Sequence, residues 1–198
     1  QRMANLFDGK TSFNGDLSKW DTGKVTDLGA AFRGAAGFNG DVSTWNTSRV
    51  VRMRATFSAA RQFNGDVSGW DTGKVETMEQ TFFQATAFDG DLSKWDTGRV
   101  ATMAHLFAKA SSFNQDISRW DTSRVTTMAQ LFSGANSFNQ TAICRWHTSK
   151  VTTWTDAFST GAGGPTQCNG HYGAGGDGDT LLEPGRAWCC TSCNCRDL

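Results

Sequence analysis

The chain has 198 residues, enough for one or two domains with a real core, and its 19 Lys plus Arg balance its 19 Asp plus Glu. With no net charge there is no field to steer the protein toward nucleic acid or an anionic membrane, so nucleic acid is set aside as a partner. No stretch approaches the ~20 consecutive apolar residues of a transmembrane helix, and no basic, apolar and small-residue leader opens the chain, which therefore reads as a mature soluble product. Its first residue is Gln1 instead of Met, which fits removal of an upstream leader and fits a fragment equally.

In chain order, the first feature is self-similarity with a period of 25 residues. Residues 3–12 match 103–112 in register, so the chain opens inside a repeat and leaves an N-terminal coil open. Phe13, Phe38, Phe63, Phe88, Phe113 and Phe138 head the copies that follow, and Trp20, Trp45, Trp70, Trp95 and Trp120 stand seven residues later. Within the copy 63–87, the segment 63–70 reads as a short strand or extended piece, and Asp71, Thr72 and Gly73 read as a turn. Val75, Met78, Phe82 and Ala85 follow at offsets of three, four and three, which predicts a short helix with one apolar face. The expected fold is an α/β repeat solenoid of 25-residue coils. One unit is too small to bury its own apolar face, so neighbours must stack.

The repeated columns divide into apolar and polar. Phe, an aliphatic residue, Trp, Val, Met, Phe and Ala recur as the expected core, with the Trp column packed inside and not displayed as a platform for sugar rings. Asn14, Asn39, Asn64, Asn114 and Asn139, with Asp89 standing in once, are expected to bond neighbouring backbone. The column Asp16, Asp41, Asp66, Asp91 and Asp116 needs partners, either amides of its own turn or the basic column Lys24, Arg49, Lys74, Arg99, Arg124 and Lys150. A calcium ladder lacks the loop spacing of known calcium hands.

Near Phe138 the repeat changes: one residue is gained before Cys144, His147 replaces the turn Asp, Trp146 is displaced by one, and Trp154 replaces Met. This reads as a terminal repeat adapted for capping. The chain then divides into a repeat body, 1–158, and a Gly- and Cys-rich cap, 159–198. All six cysteines (Cys144, Cys168, Cys189, Cys190, Cys193 and Cys195) fall late in the chain, which suggests disulfides and an extracellular, cell-surface or oxidising luminal location. Their connectivity is open. A zinc site from the clustered thiolates with His171, and a calcium-loop fragment at Asp177 and Asp179, are weaker readings of the same tail.

The segment 113–128, Phe-Asn-Gln-Asp-Ile-Ser-Arg-Trp-Asp-Thr-Ser-Arg-Val-Thr-Thr-Met, resembles the repeat of the BspA-like surface proteins and of mycoplasma surface lipoproteins. The resemblance covers residues 3–158. It implies a leucine-rich-repeat-like solenoid on secreted or surface proteins, with adhesion and protein binding as its function and no catalytic residues to carry over. The cysteine-rich tail departs from that pattern.

No catalytic, metal or cofactor site is expected. His105, His147 and His171 have no relay partner in the pattern, and serines such as Ser68 and Ser93 recur with the turn as hydrogen-bonding residues. Asn46 and Asn139 head sequons that could carry glycans. Positions that vary between copies are the ones free to recognise something, and they single out Arg52, Arg54, Arg61, Phe83 and His105 as contact candidates. The expected function is a non-enzymatic secreted or surface-exposed scaffold binding a protein or glycan. The alternative is a structural subunit of a larger assembly that stacks through its open N-terminal coil.

Overall fold

A computed structural model describes residues 1–159. Cys168, Cys189, Cys190, Cys193, Cys195, His171, Asp177 and Asp179, and with them the expected cap, lie outside the described residues.

The chain winds into coils of 25 residues that lie in register on one another. Single parallel bridges join Arg2, Asp27, Arg52, Thr77, Thr102, Thr127 and Thr153 in succession. Each bridge is one residue wide, so no sheet forms among the described residues. The α/β solenoid is thereby corrected: helix and strand amount to 3% and 4%, and among the described residues the one helix is a 3-10 turn at Thr141–Arg145. That turn absorbs the inserted residue, after which Trp146 Nε1 still reaches the Ile117 carbonyl at 3.0 Å.

The expected helix fails because its amides go elsewhere. In a helix each N–H bonds four residues back within its own segment. Here Met78, Gln80, Phe82 and Gln84 donate to Thr102, Ala104, Leu106 and Ala108 of the next coil at 2.8–3.3 Å. The intervening amides of Thr81, Phe83 and Ala85 close short turns onto Met78, Gln80 and Phe82. Gln80 and Gln84 take left-handed backbone, φ 58° and 56°, and the same two positions recur along the stack, at Ala55 and Ala59 or at His105 and Lys109. A left-handed residue stops a right-handed helix, and repeating it every four residues mimics helical spacing with a chain of turns.

The core columns are as the repeat implies. Phe32, Phe57, Phe82, Phe107 and Phe132 are fully buried beside Phe38, Phe63, Phe88, Phe113 and Phe138, and within a coil Phe82 and Phe88 stack with ring centroids 3.9 Å apart. From coil to coil the rings repeat at larger separations, 5.7 Å for Phe57 to Phe82 and 6.1 Å for Trp45 to Trp70. Trp70 is 3% exposed and donates from Nε1 to the Val42 carbonyl at 3.0 Å, so its polar edge is satisfied inside the core. Trp20, in the first coil described, is 42% exposed.

Two polar columns stitch the turns. In the Asn column the side-chain Oδ1 of one copy accepts the backbone N–H of the column residue in the next, as Asn14 accepts from Asn39 and Asn64 from Asp89, at 2.8–2.9 Å. The buried Thr22, Thr47, Thr72, Thr97 and Thr122 aim each hydroxyl at a carbonyl of the following coil, as Thr72 does to Asp96 at 2.9 Å. The sequence pattern marks these threonines only as turn residues.

Candidate functional site

Because residues of like register stack, a position that varies between copies becomes a patch on the flank. The segment from the bridge to the second left-handed residue presents Arg52 and Arg54 in one coil, Glu79 and Phe83 in the next, and His105 in the third. The backbone of this segment is held on both sides by coil-to-coil hydrogen bonds, which gives its side chains a fixed base.

Arg54 pairs with Glu79 at 3.2 Å and Arg52 approaches Asp27 at 3.9 Å, with both arginine side chains 58% exposed. Such exposed pairs contribute little to stability, roughly 0.2–1 kcal/mol each. Phe83 is half-buried and meets the His105 ring edge-on, with centroids 6.3 Å apart. The Nδ1 of His105 is buried with no hydrogen-bond partner. Arg61 does not join this group: it lies at the corner after the segment, with its carbonyl bonded to Ala87 and Thr86. A further pair, Arg33 with Asp8, ties the first two coils and holds the Asp8 carboxyl below its ordinary value, chiefly through the guanidinium hydrogen bond.

The regular acidic column is occupied by its own turn. Asp41 Oδ1 accepts from the backbone and hydroxyl of Ser43 at 2.9 and 2.7 Å, and Asp16 treats Ser18 alike. These bonds depress the carboxyl of Asp16, Asp41, Asp66, Asp91 and Asp116 below the usual range. The basic column is therefore not the partner of these acids. Among the described residues no group of three or more His, Cys, Asp or Glu side chains is arranged to hold a metal ion.

Asn46 is exposed, with its Oδ1 taken by the Ser48 amide and hydroxyl, while exposed Asn139 donates its amide to Asn114 and ends the Asn column. Cys144 is disulfide-bonded. Among the described residues no helix is long and apolar enough to cross a membrane. No curated protein and no solved structure matches the chain. A family described as "Mycoplasma protein of unknown function, DUF285" matches over residues 1–89 and again over 65–167, in keeping with a repeated unit. The chain belongs to this repeat-containing family, DUF285.

Proposed function

We propose that the chain is a non-enzymatic repeat scaffold, BspA-like in kind, that binds a protein or glycan at an extracellular, cell-surface or oxidising luminal location. The observation that carries this is the division of labour among columns. The recurring apolar, Asn, Asp and Thr residues are consumed by the core and by turn hydrogen bonds, and the varied Arg52, Arg54, Phe83 and His105 fall in one segment of successive coils. A half-buried aromatic and exposed guanidinium groups carried on the same segment of successive coils are residue types enriched in recognition hot spots. The disulfide at Cys144 supports the oxidising location.

The test is a screen of the full chain against a glycan array and a panel of immobilised extracellular-matrix proteins, followed by Phe83→Ala and Arg52→Ala. At least one ligand should weaken about tenfold, 1.4 kcal/mol, with an unchanged urea midpoint. Ligands that bind both variants as tightly as the parent remove this surface.

A second reading, a structural subunit that receives another coil on the face of its first one, has its own support. Leu6 and Trp20 are 43% and 42% exposed there, and Phe7 and Phe13 stack as their interior counterparts do while remaining only half-buried. Light scattering across a concentration series separates the two. Self-association abolished by Trp20→Lys favours the subunit, and a monomer throughout removes it.

A further inference from the structure

The basic column has no structural employment. Lys24, Arg49, Lys74, Arg99, Arg124 and Lys150 are all exposed, and among the described residues none of them pairs with a carboxylate. Lys74 donates to the Ser48 carbonyl at 2.9 Å; no other side chain of the column makes a hydrogen bond within the described residues. The column runs four residues behind the Trp column, whose rings repeat at 6.1–6.4 Å, so like charges stand one coil apart. Such an array repels itself and weakens the fold. The neighbouring Asp71, Asp96 and Asp121 temper the field, but each turns Oδ1 into its own turn, toward Gly73, Gly98 and Ser123. His147 replaces that acid in the last copy, so the turn beside Lys150 supplies no carboxylate of its own.

At that end lies an open groove of about 700 Å³, lined by Glu76, Arg99, Ala101, Arg124 and Lys150. Its volume is that of a small-ligand site. We infer that this groove binds an acidic oligosaccharide, with Arg99, Arg124 and Lys150 taking successive carboxylate or sulfate groups and Glu76 accepting a sugar hydroxyl.

The inference rests on the proposal that the stack is a binding scaffold, and it adds a ligand class and a second site. Three cations in a row match a linear polyanion whose charges recur at the scale of a sugar ring. Guanidinium forks suit planar carboxylate and tetrahedral sulfate oxygens in pairs. A carboxylate in the same groove repels any polyanion, and what offsets this for a sugar alone is its hydroxyls, which Glu76 can accept and a phosphate chain lacks. Among the described residues no aromatic side chain lines the groove, so they offer none of the base stacking that single-stranded nucleic acid uses. The small side chain of Ala101 leaves room for a ring face between the charged walls.

Fluorescence anisotropy with a labelled heparin octasaccharide and the full chain tests this, with polyphosphate of similar length and a short single-stranded DNA as competitors. Arg99→Ala with Arg124→Ala should weaken the octasaccharide at least tenfold and flatten its salt dependence. Glu76→Ala should weaken the octasaccharide several-fold while strengthening polyphosphate. Lys109→Ala, on another column, should change neither, and no variant should have a urea midpoint below the parent's, the Arg99 and Arg124 double variant gaining slightly from relieved repulsion. The inference is overturned if the octasaccharide does not bind, if the double variant binds it normally, or if polyphosphate or DNA competes as well as the oligosaccharide itself. Loss of this site leaves the Phe83 flank untouched, since a ligand lost in Phe83→Ala and kept in the Arg99 and Arg124 variant belongs to the other surface.

Discussion

Replacing Trp70 by Ala deletes a ring that is 3% exposed, lies between Trp45 and Trp95 at 6.1 and 6.4 Å, and leans on Phe57 at 5.8 Å. Truncating a buried Trp costs roughly 3–5 kcal/mol, and because the Val42 carbonyl loses the indole N–H but keeps the Trp45 amide at 3.2 Å, the middle of that range, about 4 kcal/mol, is expected. The same change at Trp20, which is 42% exposed and makes no indole hydrogen bond within the described residues, should cost about 1 kcal/mol in this chain. With a urea slope of about 2 kcal/mol per molar, the midpoint falls by about 2 M for Trp70→Ala and about 0.5 M for Trp20→Ala. The fluorescence of the remaining tryptophans follows both titrations. Trp70→Phe, which keeps an aromatic ring in the column and loses only the hydrogen bond and some area, should fall between them. Equal shifts for the two alanine variants would refute the reasoning, because burial and the indole bond are all that distinguishes the sites.

Stability should fall in acid. Hydrogen bonds from the serine of the turn hold the Asp66, Asp91 and Asp116 carboxyls below their ordinary 3.8, so the native state binds fewer protons than the unfolded chain around that value. Their contribution is complete above the ordinary carboxylate range and is lost as pH drops through the lowered values, which urea midpoints measured from pH 6 to pH 2.5 will trace; a flat profile excludes it. Ala59 has φ 56° and Gly34 φ 68°, so Ala59→Gly should stabilise by about 0.5 kcal/mol, relief of strain outweighing added chain entropy. Gly34→Val should cost about 2 kcal/mol or more, and thermal melts that rank the two the other way contradict the left-handed assignment. Asn64→Asp should be nearly neutral at pH 7, because Asp89 already fills that role for Asn114, whereas Asn64→Leu should lose about 1 kcal/mol. Matching urea midpoints for the two would remove the Asn column from the hydrogen-bond account.

The columns were readable from spacing alone because stacking in register demands identical neighbours: Phe, Trp, Val and Met recur where they touch themselves. The helix was misread for a physical reason. Offsets of three and four arise equally from helical turns and from a chain of short turns punctuated by left-handed residues, and Ala55, Gln80 and His105 bear no mark of that conformation in their chemistry. A Gly at 9, 34 and 134 was the available hint, since those positions fall in one left-handed column. Thr72 and its equivalents were seen as turn residues, and only the packing shows that their hydroxyls cross to the next coil. Of the contact candidates, Phe83 and His105 do meet, while Arg61 stands apart. In sequence the basic column reads as a counterpart of the acidic one, and only the bonds from the turn serines to those carboxylates leave it without that role.

The alternating destinations of the backbone amides also make the stack a spring with countable steps. Hydrogen bonds between coils hold each one against its neighbour, so tension along the chain should peel coils away singly instead of breaking the whole body at once. Each released coil of 25 residues frees about 85 Å of extended chain, at roughly 3.4 Å per residue. A force trace would show evenly spaced drops of that length, and a stack fixed at both ends would yield stepwise to a load and rewind coil by coil when the load is removed.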